Sequence, residues 1–180
     1  MNPATNLFLI GPMGAGKTTL GKRLAEHFHL RFIDLDDEIE KRCGVPVSTV
    51  FEIEGEAGFR QRERKCLEEA SALDGIVLAT GGGSVLLPEN RDRLRARGFV
   101  LYLPTSVDQQ LHRLARDRKR PLLQAPDRRE RLSTMATLRG PLYESTADHR
   151  LEADSNHVQR VFECALVQLA AHWRQSEPTS

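Results

Sequence analysis

Directly after the apolar run Leu7-Phe8-Leu9-Ile10, the chain reads Gly11-Pro12-Met13-Gly14-Ala15-Gly16-Lys17-Thr18-Thr19. This fits the phosphate-cradling pattern G-x-x-x-x-G-K-[ST] and stands where that pattern works, between a short strand and a helix. Glycines let successive backbone N–H groups converge on phosphate oxygens, and a helix starting at the lysine adds its N-terminal dipole. Lys17 then reaches the β- and γ-phosphates of a nucleoside triphosphate, and the Thr18 hydroxyl is the group to meet Mg2+.

A phosphate loop alone does not choose a reaction. Switch and motor ATPases usually end a further strand in an acid, but here residues 76–79 run into Thr80-Gly81-Gly82-Gly83-Ser84. A glycine triplet at a strand's carboxyl end lets backbone come very close to a ligand, at the crevice where open α/β sheets bind substrates. The acids follow the second apolar run instead, as Asp34-Leu35-Asp36-Asp37-Glu38. With a strand over 32–35, Asp34 and Asp36 point the same way, one toward a magnesium water and one toward a substrate hydroxyl. The competing role for Asp36 or Asp37 is to cap the next helix. Two isolated arginines, Arg60 and Arg139, have the fork geometry that grips a carboxylate bidentately. Residues 112–131 carry eight Lys/Arg against three acids, opened by Pro121 and Pro126. Beside a phosphate site, that composition suits an arginine-bearing lid that excludes water and adds charge at the phosphoryl group.

The elements that position these residues alternate strand with helix, the pattern of an α/β domain built on a parallel sheet. Strands are expected at 7–10, 32–35, 76–79, 99–103 and, weakly, 150–153. A helix over 17–28 carries Leu20, Leu24 and Phe28 on one face. Pro88 suits the first turn of a helix that stops before Gly98. Residues 37–73 read as wholly helical, with Gly44, Pro46, Gly55 and Gly58 as breaks, which is longer than one crossover requires. A last helix from about 156 to 173 has Val158, Val161, Phe162, Ala165, Leu166 and Leu169 as its buried stripe and Trp173 packing at its end. Residues 1–173 form one domain, and 174–180 form a polar tail.

Composition narrows the class further. The 180 residues are 39% hydrophobic with net charge +1, enough for a full core and too balanced for a nucleic-acid or membrane field. No apolar run is long enough to cross a bilayer, and the N-terminus lacks the pattern of a signal peptide. Cys43, Cys66 and Cys164 are far apart and odd in number, as for reduced thiols in a cytoplasmic protein. Six scattered histidines have no metal-ligand spacing. A monomer is the expectation, since no heptad seam or spare apolar stripe is evident.

Taken together, the motifs resemble the shikimate kinases, small P-loop kinases of the nucleoside-monophosphate-kinase type. The resemblance spans roughly residues 6–158. It rests on residues 11–18, Phe32-Ile33-Asp34-Leu35-Asp36, Gly58-Phe59-Arg60-x-x-Glu63, Thr80-Gly81-Gly82-Gly83, Arg120-Pro121-Leu122-Leu123 and Arg139-x-Pro141-Leu142-Tyr143. It implies a parallel sheet in the order 2-3-1-4-5 flanked by helices, a substrate-binding helical region at about 37–73 and a lid at about 112–126. ATP and Mg2+ are the implied cofactors, and the 3-hydroxyl of shikimate is the implied phosphoryl acceptor. By position, Asp36, Arg60, Gly82 and Arg139 hold shikimate, with both arginines on its carboxylate and Asp36 as general base. Gly14, Ala15, Gly16, Lys17, Thr18 and Thr19 wrap the phosphates, Thr18 meets Mg2+, and Asp34 reaches the ion through water. Arg120 comes from the lid, and Arg113 and Asn156 flank the adenine. Leu35 and Asn156 depart from the family's usual residues.

The rival enzyme readings are a gluconate kinase and a nucleoside-monophosphate kinase. The set Asp36, Arg60 and Arg139 suits a polyol carboxylate, and no aromatic is evidently free to stack an acceptor base. An RNA-associated ATP-binding module is the rival outside catalysis. The basic stretch has no aromatic residues within it, which counts against that reading.

Overall fold

The computed structural model describes residues 5–115, 127–153 and 157–173. Its elements, in chain order, begin with β1 (Leu7–Ile10), α1 (Lys17–Phe28), β2 (Arg31–Asp34), α2 (Leu35–Cys43), α3 (Val47–Ala70) and β3 (Ile76–Ala79). A short 3-10 turn, Ser84–Leu86, leads to α4 (Pro88–Arg97), β4 (Phe99–Tyr102), α5 (Val107–Arg113), α6 (Arg128–Thr146), β5 (His149–Arg150) and α7 (Val158–His172).

The five strands form one parallel sheet in the order β2-β3-β1-β4-β5, as the resemblance implies. In register, Leu7 lies opposite both Val77 and Phe99, which fixes β1 at the centre. Strands β1, β3 and β4 are buried along their whole length, because helices cover both faces and each alternate side chain meets one layer. Phe8, Ile10, Leu78 and Val100 join the core under α2, α3 and α4. Leu7, Leu9, Val77 and Leu101 join the opposite core, with Leu20 and Leu24 of α1 and Ala165 and Leu169 of α7.

Several boundaries differ from the expectation. β2 ends at Asp34, and the buried Leu35 already begins α2, so strand alternation does not relate Asp34 to Asp36. The cap of α2 is Asp34 itself, which accepts from the Asp36 and Asp37 N–H groups; neither Asp36 nor Asp37 caps it. The helical segment divides at Gly44, whose left-handed φ of 71° ends α2. α3 kinks at Gly55 (φ 67°, ψ −176°), whereas Gly58 lies within the helix and breaks nothing. β5 is two residues long and starts at His149; Asp148 N–H and Leu151 N–H extend its pairing at either end, donating to the Val100 and Tyr102 carbonyls at 2.9 and 2.8 Å. Val158 is 48% exposed and does not belong to the buried stripe of α7. Trp173 is buried against Phe28, edge to face at 5.1 Å, as expected for a packing residue.

Arg120, Asn156, most of the expected lid and the tail 174–180 lie outside the described residues. Among the described residues, no helix is long and apolar enough to cross a membrane.

Candidate active site

The phosphate loop joins β1 to α1. At Gly11 the backbone has φ 143°, and a Cβ would stand 2.4 Å from the Leu103 carbonyl oxygen, so only glycine lets the chain turn out of β1 beside β4. Gly14 and Gly16 have left-handed φ values of 77° and 90°, and Gly16 is the N-cap of α1. The first acceptor of α1 is the Gly16 carbonyl, taken by Leu20 N–H at 2.9 Å. The N–H groups of Lys17, Thr18 and Thr19 therefore open from the helix end, where an anion binds best.

Four successive carbonyls of this loop are held by side chains. Lys17 Nζ donates to the Gly11 and Pro12 oxygens at 2.7 and 2.9 Å. The buried Gln110 Nε2 donates to the Met13 oxygen at 2.8 Å, and Arg113 Nη1 donates to that of Gly14 at 2.9 Å. Both latter residues are on α5, and Leu114, which follows it, shares a buried cluster with Met13. Gln110 had no sequence signal, because a glutamine in a short helix looks like surface.

At the loop's far end, Thr18 Oγ1 donates to Asp34 Oδ2 at 2.6 Å, while Asp34 Oδ1 accepts from Asp36 N–H at 3.0 Å. One carboxylate thus joins the starts of α1 and α2. A hydroxyl and a carboxylate oxygen beside a phosphate cradle are hard donors of the kind Mg2+ takes alongside phosphate and water.

The glycine triplet brings the remaining groups together. A Cβ on Gly81 would stand 2.7 Å from Glu63 Oε1 and 3.1 Å from Asp36 Oδ1. One on Gly82 would meet Met13 N at 3.2 Å, and one on Gly83 would overlap the Arg60 guanidinium, 2.2 Å from Nη2. Each glycine therefore admits a different neighbour: two carboxylates, the phosphate loop and an arginine. Arg60 Nη1 donates to Glu63 Oε2 at 2.6 Å, and Ser84 Oγ donates to Glu63 Oε1 at 2.7 Å. The Arg60 Nε is buried without a hydrogen-bond partner among the described residues. Tyr143 OH donates to the Gly82 carbonyl, and its hydroxyl also bonds to Arg139. Burial pushes the Tyr143 phenol up to about 12, against the pull of Arg139 and Arg60.

Asp36, Arg60, Gly82 and Arg139 thus share one neighbourhood beside Gly14, Ala15, Gly16, Lys17, Thr18, Thr19 and Asp34. Glu63 and Tyr143, which share the motifs of Arg60 and Arg139, bond to those two arginines. The signal for Glu63 was its spacing of three from Arg60 on a helix. A cleft of about 450 Å3 flanks the loop at Ala15, with Arg113, Thr105 and the segment 151–153 in its wall.

A parallel sheet in this order, with a phosphate loop after β1 and an acid–arginine pocket at the strand ends, defines a P-loop phosphotransferase. The family model "Shikimate kinase" matches residues 13–170. A shikimate kinase of Vibrio parahaemolyticus is 53% identical over 87% of this chain and 91% of its own length. One from Xanthomonas campestris pv. campestris is 51% identical over 98% of each chain. The solved shikimate kinase of Acinetobacter baumannii in complex with shikimate superposes with a TM-score of 0.89 at 41% identity, covering 93% of this chain and 94% of that one. The chain belongs to the shikimate kinase family.

Proposed function

We propose that this chain transfers the γ-phosphoryl group of ATP to the 3-hydroxyl of shikimate, giving 3-phosphoshikimate and ADP on the route to aromatic amino acids. The carrying observation is the meeting of Asp36, Arg60 and Arg139 around Gly81–Gly83, with Gly82 against the phosphate loop at Met13. Arg60 and Arg139 grip the carboxylate of the acceptor, and Glu63 and Tyr143 hold those arginines in place. Asp36 orients the acceptor hydroxyl and takes its proton as the new P–O bond forms and the bond to the ADP oxygen breaks. Residues 14–19 wrap the phosphates, and Lys17 bears part of their charge. Arg120 and Asn156 keep their expected roles at the phosphates and the adenine. Arg113 lies in the wall of the 450 Å3 cleft, which takes the base.

Thr18 and, through water, Asp34 are the residues that would hold Mg2+, which when bound neutralises charge on the transferring phosphate. Residues 112–126 close over the nucleotide as a lid. The enzyme works as a cytoplasmic monomer, independently of nucleic acid and membrane.

The experiment is ADP release from Mg2+-ATP with shikimate, gluconate or a nucleoside monophosphate as separate acceptors. Turnover with shikimate alone supports the assignment. Turnover with another acceptor removes it and leaves only the phosphate loop.

A further inference from the structure

The wall of the 450 Å3 cleft continues past β5 through Leu151, Glu152 and Ala153. β5 is the sheet's edge strand, so this segment has a neighbouring strand on one side only. Leu151 N–H still pairs with Tyr102 of β4, but Glu152 turns its backbone to the other side. There it meets Gln168 of α7. Glu152 N–H donates to Gln168 Oε1 at 3.0 Å, and Gln168 Nε2 donates to the Glu152 carbonyl at 2.7 Å. One side-chain amide thus pairs both backbone groups of one residue, as a partner strand would.

These two bonds also fix which end of the amide is oxygen. His149 Nε2 lies 2.8 Å from the same Oε1, so the ring must carry its proton on Nε2 and donate. The His149 ring in turn stacks on His172 of α7, with centroids 4.2 Å apart. Gln168 therefore gathers β5, the cleft wall and α7 at one oxygen.

We infer that Gln168 is a positioning residue for nucleotide binding: it holds the 151–153 wall at the width the base requires, without touching the nucleotide. This rests on the reading of that cleft as the base site.

The test uses the full-length enzyme carrying Gln168→Leu, which keeps the bulk and loses all three bonds. The expected result is a roughly five- to ten-fold rise in KM for ATP, from the two lost backbone bonds. Inhibition by adenosine should weaken by a similar factor. Inhibition by inorganic tripolyphosphate, KM for shikimate and kcat should stay within about two-fold. Gln168→Glu keeps the acceptor for Glu152 N–H and His149 while losing the donor, so its KM for ATP should fall between wild type and Gln168→Leu. It serves also if the leucine variant does not fold. Equal weakening of adenosine and tripolyphosphate, or no change in KM for ATP, overturns the inference. Ala153→Phe, which fills the cleft, separates the two readings. If it raises KM for ATP while both Gln168 variants do not, the cleft is right and Gln168 is not its support. If it leaves KM for ATP unchanged, the cleft reading fails and the role of Gln168 falls with it.

Discussion

Glu63 and Arg60 stand one turn apart on α3, joined at 2.6 Å, with the carboxylate wholly buried and the guanidinium leaning over Gly83. The second oxygen of Glu63 is taken by Ser84, so the acid has a fixed orientation and imposes one on the arginine. Glu63→Gln removes the charge that anchors Arg60 but keeps the shape. We expect KM for shikimate to rise about ten-fold with KM for ATP unchanged. Glu63→Ala also leaves the arginine without its buried counter-charge, and urea unfolding should show a loss of about 3 kcal/mol. A Glu63→Gln enzyme with native KM for shikimate would mean that Arg60 holds its place without that charge, on its contact with Glu56.

Arg139 and Arg60 grip the acceptor rather than the nucleotide in our reading. Charge-assisted hydrogen bonds lost on mutation to alanine correspond to a rise of roughly ten- to hundred-fold in KM for shikimate. KM for ATP should move little. If Arg139→Ala leaves KM for shikimate unchanged, the carboxylate clamp is wrong.

Asp36 lies beside Gly81 at the start of α2 and is the base in our proposal. Asp36→Asn should lower kcat by about 10²- to 10⁴-fold, since proton acceptance at the acceptor hydroxyl is lost. Nucleotide affinity, read by titration with a non-hydrolysed ATP analogue, should be nearly native. Weakened nucleotide binding with intact kcat would reverse the assignment.

Gly83 and Gly11 separate activity from stability. A methyl at Gly83 meets the flexible end of Arg60 at a φ of −98°, which any residue tolerates. Gly83→Ala should raise KM for shikimate by displacing the guanidinium, and should lose less stability than Gly11→Ala because a side chain, not backbone, gives way. A methyl at Gly11 meets a backbone oxygen at a φ of 143°, so Gly11→Ala should lose on the order of 3 kcal/mol of stability. Thermal melts of the two variants, set beside their kinetics, check the contrast.

The Tyr143 phenol, lifted to about 12 by burial, ties stability to alkaline pH. In the unfolded chain a tyrosine ionises near 10. Its folded value is the higher, so its contribution is complete below about 10 and declines as pH rises toward about 12. Tyr143→Phe should flatten that part of the stability profile. It should also release Arg139 and the Gly82 carbonyl, raising KM for shikimate at neutral pH.

Much of this architecture was legible in the chain. The apolar run before Gly11, the pattern through Lys17 and the spacing of Leu20 and Leu24 gave β1, the loop and α1 with their true limits. Asp34 was harder, because a strand-ending acid and a helix cap look alike in sequence, and here one residue is both. The short β5 was misplaced because edge pairing is shared with a helix side chain, which no local pattern records. Gln110 and Gln168 act through partners distant in sequence, and only the folded chain brings those partners together.

Both oxygens of Asp34 are engaged before any ligand arrives: one on the backbone at the start of α2, the other on the Thr18 hydroxyl. The orientational freedom of that carboxylate is therefore lost during folding and need not be lost again on binding. The same bond makes the start of α2 and the start of α1 a single mechanical unit. Fraying at either one disorders the phosphate end and the acceptor end together.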